Sequence, residues 1–215
     1  TTETQLADDE PVLPIPETAQ RLTSLVEREG VEYLTGGTWE IVYYNQRDEQ
    51  WAQQPYGRDH IGGYGCGPTV MAMVVATMTG QSVDPVKMAA FCVKNGHWAR
   101  GQGSYHNIVD GVAEEFNLCS QSANLEELTE EVLLQRLAAG EMAVALMTRG
   151  HFTNGGHYIL LRGVTLDGSI LVADPASRER TLVAWDPEII MGELSRSRDH
   201  GAPLWFVTPN VIWEE

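Results

Sequence analysis

The pattern of apolar residues changes near residue 140, and this change constrains the fold more than any other feature of the sequence. Before it, four segments that begin near residues 65, 84, 104 and 124 carry apolar residues at helical spacing. After it come the short runs MAVALMT, HYILLRGV and SILVADP, which are rich in β-branched residues, and later PLWFVTP. Asp167-Gly168, a strong hairpin signal, joins the second run to the third. Helices followed by antiparallel strands predict an α+β fold.

Cap residues predict the ends of two of these helices. Asp84 precedes the second helix and Gly96 follows it, as expected for an N-cap and a terminating glycine. Asn124, with Glu127 three residues later, is predicted to cap the fourth helix. A shorter helix is predicted in PEIIMGELSRS, before the final strand.

The first 38 residues are predicted to form a separate N-terminal part. Residues 1–16 are acidic and contain three prolines, which is typical of a tail, and PETAQRLTSLVEREG places Leu22, Leu25 and Val26 on one helical face. Gly30 is the predicted stop of that helix. We therefore divide the chain into a tail and helix over residues 1–38 and a larger domain over residues 39–215. That domain is predicted to begin with a strand in TWEIVYYNQ, followed by a loop in RDEQWAQQPYGRDHIGGYG.

Charge and composition exclude several classes of partner. The chain has 14 basic and 30 acidic residues, a net charge of −16, so nucleic acid or an anionic membrane would be repelled. No apolar run is long enough to cross a bilayer. The three cysteines cannot all pair with one another, and a bond between Cys92 and Cys119 is left open. We expect an extracellular or cell-surface location after removal of a leader, with a cytoplasmic location as the alternative.

The stretch GYGCGPTVMAMVVATMTG places Cys66 between glycines at the predicted start of a helix. Pro68 fits the first turn, where a missing N–H is harmless. A helix N-terminus lowers the pKa of a cysteine thiol and so favours the reactive thiolate, and flanking glycines would let a substrate backbone approach. Cys66 is therefore a candidate nucleophile, and an inert buried cysteine is the alternative.

His157 is the candidate base because glycines precede it in NGGHYILLRG and a strand would hold its ring. Asp174 ends the strand that follows it through the Asp167-Gly168 turn, so a hairpin would bring the two side chains together. A carboxylate at the ring nitrogen that does not face the thiol would orient the imidazole. The remaining histidines are predicted to be exposed or structural: His60, His97, His106, His151 and His200.

The order Cys66, His157, Asp174 resembles that of papain-like cysteine peptidases. It is most similar to their C39-like branch, which processes double-glycine leader peptides and uses a glutamine upstream of the cysteine. Gln46 in YYNQRDEQWA matches that glutamine, with Gln50, Gln53 and Gln54 as rivals. The resemblance implies a papain-like fold, in which an N-terminal helical part carries the nucleophile at a helix N-terminus and packs on a C-terminal antiparallel sheet.

The resemblance also implies a thiol-dependent hydrolase of peptide or amide bonds. Cys66 would attack the carbonyl, His157 would carry the proton, Asp174 would orient His157, and Gln46 would stabilise the oxyanion. The substrate would be a peptide or protein, and neither cofactor nor metal is implied. Two alternatives remain: an inactive module of the same fold that binds peptide or cell-wall fragments, and an iron or zinc site formed by His151, His157 and Asp174.

Overall fold

The computed structural model describes residues 10–211. Its helices are α1 (Ile61–Tyr64), α2 (Cys66–Thr79), α3 (Pro85–Lys94), α4 (Ile108–Glu115), α5 (Glu130–Ala138), α6 (Arg178–Thr181) and α7 (Pro187–Gly192), with a 3₁₀ turn at Asp199–Gly201. Its strands are β1 (Leu25–Arg28), β2 (Val31–Leu34), β3 (Ile41–Tyr43), β4 (Pro55–Tyr56), β5 (Asp59–His60), β6 (Trp98–Ala99), β7 (Gly103–Ser104), β8 (Leu118–Ser122), β9 (Met142–Met147), β10 (His157–Val164), β11 (Ile170–Ala173), β12 (Ala184–Trp185) and β13 (Leu204–Pro209).

A six-stranded sheet forms the centre of the structure, with strand order β12-β11-β10-β9-β13-β8 and antiparallel pairing throughout. Side chains alternate between its faces, as the twofold period of a strand requires. In β9, Val144 and Leu146 join the core that contains α2, whereas Ala143 and Ala145 join the core that contains α5 and α7. Helices on both faces of an antiparallel sheet confirm the predicted α+β class.

Helix α2 is apolar almost all round its circumference, and this explains its central position. Its residues from Gly67 to Ala76 are all buried, between the sheet on one side and neighbouring helices on the other. A helix without a polar face must be enclosed in this way. It ends at Gly80, whose φ of 70° lies in the left-handed region that glycine adopts without a steric penalty.

The predicted ends of α3 are confirmed, but the predicted start of α5 is wrong. The Asp84 side chain accepts a hydrogen bond from Lys87 N at 2.9 Å, as an N-cap should. Thr129, and not Asn124, caps α5 by accepting from Val132 N at 3.2 Å. Asn124 accepts from Glu126 N at 3.2 Å and so forms a tight turn instead. Asparagine serves such turns as readily as it serves caps.

The helix predicted between residues 16 and 30 is also wrong. Residues 25–34 form the hairpin of β1 and β2, and β3 extends it to a three-stranded antiparallel sheet. The hairpin turn is Glu29-Gly30, both with positive φ (52° and 78°). Of the predicted apolar face, Leu22 and Val26 are exposed, and Leu25 alone packs against the core. Pairing with β3 has overridden a weak helical spacing, and Gly30 serves a hairpin turn and not a helix end.

The segment predicted as a loop before Cys66 contains a short β4–β5 hairpin and α1. The three cysteines are unpaired: Cys92 is buried, whereas Cys119 is exposed. The open question of a Cys92–Cys119 bond is therefore answered in the negative. No helix within residues 10–211 is long and apolar enough to span a bilayer.

Candidate active site

Cys66 is the first residue of α2 and is partly exposed. The glycines beside it are required by the protein's own packing. A Cβ at Gly65 would lie 2.6 Å from the carbonyl oxygen of Ile61, and one at Gly67 would lie 2.6 Å from Ser104 Oγ. The expectation that these glycines leave room for a substrate is therefore wrong at these two positions. They allow α1 and β7 to pack closely against the start of α2, which positions the thiol.

His157 and Asp174 meet as the predicted hairpin requires. Strands β10 and β11 pair antiparallel, with Leu160 opposite Ala173, so the start of one strand lies beside the end of the other. His157 Nε2 is 2.9 Å from Asp174 Oδ1, and both side chains are almost completely buried. The other ring nitrogen, Nδ1, has no hydrogen-bond partner of normal geometry among residues 10–211.

The electrostatics of the pair favour opposite charges. Burial would lower the pKa of His157, but the Asp174 carboxylate, its hydrogen bond and the nearby Cys66 side chain outweigh burial and raise that pKa to about 10. Burial would raise the pKa of Asp174, but the charges and hydrogen bonds of His157 and Arg180 hold it well below its ordinary value. Both shifts favour the ion pair of an imidazolium and a carboxylate over the neutral pair.

Gln46 lies just after β3 and is buried, whereas its rivals Gln50, Gln53 and Gln54 are exposed. Its backbone N–H donates to the carbonyl of Pro175 at 2.7 Å, next to Asp174 in the chain. Its side-chain Nε2 donates to the carbonyls of Gly62 at 3.1 Å and Ile61 at 3.4 Å, both in α1. The amide therefore packs against the short helix that leads into Cys66.

His151 does not join His157 and Asp174. Its ring hydrogen-bonds the Glu193 carboxylate, which also accepts from the His151 backbone N–H at 2.8 Å. In the described part of the chain, no three His, Cys, Asp or Glu side chains come close enough together to hold a metal ion. The alternative of an iron or zinc site at these residues has no geometric support.

Comparison with known proteins identifies the family of the chain. The model of the Peptidase_C39 like family matches residues 38–193, which is more than half of the chain. The chain belongs to that family. Membership confirms the expected resemblance and, with the helix and sheet arrangement, the papain-like fold. None of the curated proteins matches the sequence.

Two solved structures are distantly similar to this family member. The peptidase domain of Streptococcus ComA, a bi-functional ABC transporter involved in a quorum sensing pathway, is 15% identical, with a TM-score of 0.42 over 68% of this chain and 92% of that one. A putative C39-like peptidase from Bacillus anthracis is also 15% identical, with a TM-score of 0.41 over 67% of this chain and 88% of that one.

Sequence reasoning missed the groups of this family member that hold Asp174. Arg180 Nε donates to Asp174 Oδ2 at 2.6 Å, and Ala176 N donates to Oδ1 at 2.8 Å. The Tyr43 hydroxyl donates to the Asp174 carbonyl at 2.7 Å, and Asp174 N donates to Thr181 Oγ1 at 2.9 Å. The sequence signal for Arg180 was the SRERT segment that begins three residues after the aspartate, and such a segment is compatible with many other roles.

A cavity of about 500 Å³ opens elsewhere in the structure, beside the Asp167-Gly168 turn and the start of α5. Its walls include Gln20, Leu134 and Trp185, and none of Cys66, His157, Asp174 and Gln46 contributes to them. It is therefore separate from the candidate active site.

Proposed function

We propose that the protein is a cysteine peptidase that uses Cys66, His157 and Asp174 as its catalytic triad. The observation that carries the proposal is the buried His157–Asp174 pair beside a cysteine at the start of α2. Because Nε2 is engaged by Asp174, Nδ1 is the ring nitrogen left to exchange a proton with the thiol. Membership of a peptidase family supports a peptide or protein as the substrate.

The reaction begins when the Cys66 thiolate attacks the scissile carbonyl carbon and the carbonyl oxygen becomes an oxyanion. The C–N bond then breaks, the amine leaves with a proton from His157, and an acyl-thioester remains on Cys66. Water, deprotonated by His157, attacks the thioester and releases the acid. Asp174 keeps the imidazole oriented and stabilises its charged form throughout.

Gln46 is the proposed oxyanion donor, together with the Cys66 backbone N–H. Its amide has two N–H groups, and the 3.4 Å bond to the Ile61 carbonyl is long enough to be exchanged for a bond to substrate. A donor held against buried carbonyls costs little reorganisation when charge develops on the substrate.

Cleavage of a peptide library, followed by mass spectrometry of the new termini, tests this function. We expect the native protein to cut defined bonds and Cys66→Ala to cut none. Cys119→Ala is the matched control, since Cys119 is an exposed thiol outside the site, and it should cut as the native protein does. Equal cleavage by Cys66→Ala would overturn the mechanism. Binding of peptides without cleavage by the native protein would favour the inactive module.

A further inference from the structure

We propose that Arg180 is a positioning residue for the His157–Asp174 pair, and that its positive charge sets how tightly His157 holds its proton. The catalytic meaning of this inference rests on the proposed function. The contacts on which the inference is based are independent of that function, because they are hydrogen bonds and charges of the buried His157, Asp174 and Arg180 side chains.

The Asp174 carboxylate is divided between two cations. Oδ1 faces His157 Nε2 at 2.9 Å and Oδ2 faces Arg180 Nε at 2.6 Å. Arg180 is 8% exposed and Asp174 is inaccessible to solvent, so the pair is not weakened by water. A carboxylate held at both oxygens cannot rotate away from the imidazole.

Helix α6 fixes Arg180 itself. Its N-cap, Ser177, accepts a hydrogen bond from the Arg180 backbone N–H at 3.2 Å. The Arg180 carbonyl accepts a bond from Trp185 Nε1 at 2.9 Å. Because both backbone groups of Arg180 are engaged, its side chain approaches Asp174 from one direction only. The guanidinium is thus a preorganised partner of the carboxylate.

The charges alternate from His157 through Asp174 to Arg180. The Asp174 carboxylate lies between the positive charges of His157 and Arg180, and each of the two contacts is a hydrogen-bonded ion pair. Without Arg180 the Asp174 charge would act on His157 unopposed, and the imidazolium would hold its proton more tightly. An acid that holds its proton too tightly is a poor donor to a leaving amine. Arg180 therefore moderates the effect of Asp174 as well as orienting it.

Few other charged groups are placed to act as the second cation on the Asp174 carboxylate. Among the described residues, Glu10 and Tyr43 also act electrostatically on Arg180, and neither of them is a cation. Arg178, on the same helix, is engaged elsewhere, since its guanidinium donates to Asp48 Oδ1 and Oδ2 at 2.9 and 3.0 Å and also contacts Glu32. Arg180, and not Arg178, is thus the arginine that faces Asp174.

The test follows the ¹⁵N signals of the His157 ring with pH in the full chain, assigned by their loss in His157→Gln. In Arg180→Gln we expect the deprotonation midpoint of His157 to rise by about one pH unit or more, or to move beyond the accessible range. Arg180→Lys keeps the charge and should remain near the native midpoint. Arg136→Gln is the matched control: it removes an arginine paired with Glu141 outside the site and should not shift the midpoint.

Replacement of Arg180 by citrulline removes the positive charge while the shape of the side chain is kept. It also provides a neutral variant for the case in which Arg180→Gln does not fold. Citrulline keeps the Nε–H donor and the planar form but is neutral. A raised midpoint with citrulline supports the proposal, and an unchanged or lowered midpoint in a folded neutral variant overturns it. The readout needs no substrate. A raised midpoint without peptide cleavage would sustain this inference and refute the proposed function, and cleavage without a shift would do the reverse.

Discussion

His157 Nε2 and Asp174 Oδ1 are 2.9 Å apart although 17 positions separate the two residues in the chain. The β10–β11 hairpin causes this proximity, since antiparallel pairing places the end of β11 beside the start of β10. Burial of both side chains keeps water from competing for the bond. The imidazole is consequently fixed with one nitrogen on the carboxylate, while its other nitrogen has no hydrogen-bond partner of normal geometry within residues 10–211.

Thiol labelling should distinguish Cys66 from the other two cysteines. At about pH 6 an ordinary thiol is almost fully protonated and reacts slowly, whereas an imidazolium neighbour favours the thiolate. We expect iodoacetamide to label Cys66 first in peptide mapping of the folded protein. Cys119, exposed and away from the triad, serves as the internal reference, and Cys92 is buried with its pKa raised.

The dependence on His157 completes that experiment. His157→Ala should slow labelling of Cys66 at about pH 6 towards the rate of Cys119, because the stabilising positive charge is gone. If Cys66 and Cys119 react at equal rates in the native protein, or if His157→Ala leaves the Cys66 rate unchanged, the thiolate–imidazolium pair does not exist.

The stability contributed by His157 should depend on pH in a defined direction. Its pKa is raised from the ordinary 6.5 to about 10, so the protonated ring stabilises the native state fully below pH 6.5. This contribution is lost as pH rises towards 10. We expect the difference in free energy of unfolding between the native protein and His157→Gln, measured by urea titration, to shrink over that range. A difference independent of pH would contradict the ion pair.

Asp174 should show the opposite dependence. Its pKa is held below the ordinary 3.8, so its carboxylate stabilises the native state above that pH and progressively less as pH falls below it. The difference in free energy of unfolding between the native protein and Asp174→Asn should therefore decrease in acid. Near neutral pH, Asp174→Asn should cost on the order of 3–5 kcal/mol because Arg180 is left buried without its counter-charge.

Gln46→Ala should reduce turnover by on the order of 100–1,000-fold, as expected for the loss of one oxyanion donor, with a much smaller effect on KM. Steady-state kinetics on any peptide that the native protein cuts will measure this. Gln50→Ala is the control, since Gln50 is exposed and lies in the same segment. A larger loss in Gln50→Ala than in Gln46→Ala would show that the wrong glutamine was chosen.

Gly67→Ala should destabilise the start of α2 by about 1–3 kcal/mol, because its Cβ would lie 2.6 Å from Ser104 Oγ. The loss should be smaller in a Ser104→Gly background, which removes the clashing atoms. Gly156→Ala is the control, since no described atom lies within 4 Å of a Cβ at that position. Urea unfolding of the four variants measures the coupling, and additive losses would argue against the close contact.

Local patterns were sufficient to predict the parts of the site that depend on local structure. The Asp167-Gly168 turn between two apolar runs predicted the hairpin, and the hairpin brings His157 to Asp174. Pro68 after a glycine-rich stretch predicted the start of α2 at Cys66. The roles of these residues, the division of the chain after residue 38 and the expected location outside the cell stay predictions.

Interactions between distant segments were what the sequence alone could not predict. The hairpin of β1 and β2 depends on pairing with β3, and a pattern within residues 16–30 carries no information about that partner. Arg180 became part of the site because a short helix turns it back onto Asp174. Asn124 is if anything the better cap in isolation, yet Thr129 caps the helix whose Leu133 and Leu137 pack in the core.

The three-stranded sheet of β1, β2 and β3 predicts that a chain shortened to start near residue 39 would aggregate. Without β2, strand β3 would lose the partner that covers its backbone between Ile41 and Tyr43, and Arg178 would lose Glu32. A bare strand edge beside apolar side chains is a template for association with other chains. Cleavage within the β1–β2 hairpin, residues 25–34, would therefore expose the edge of β3 and yield protein that aggregates. Any proteolytic maturation would have to cut upstream of this hairpin to leave soluble protein.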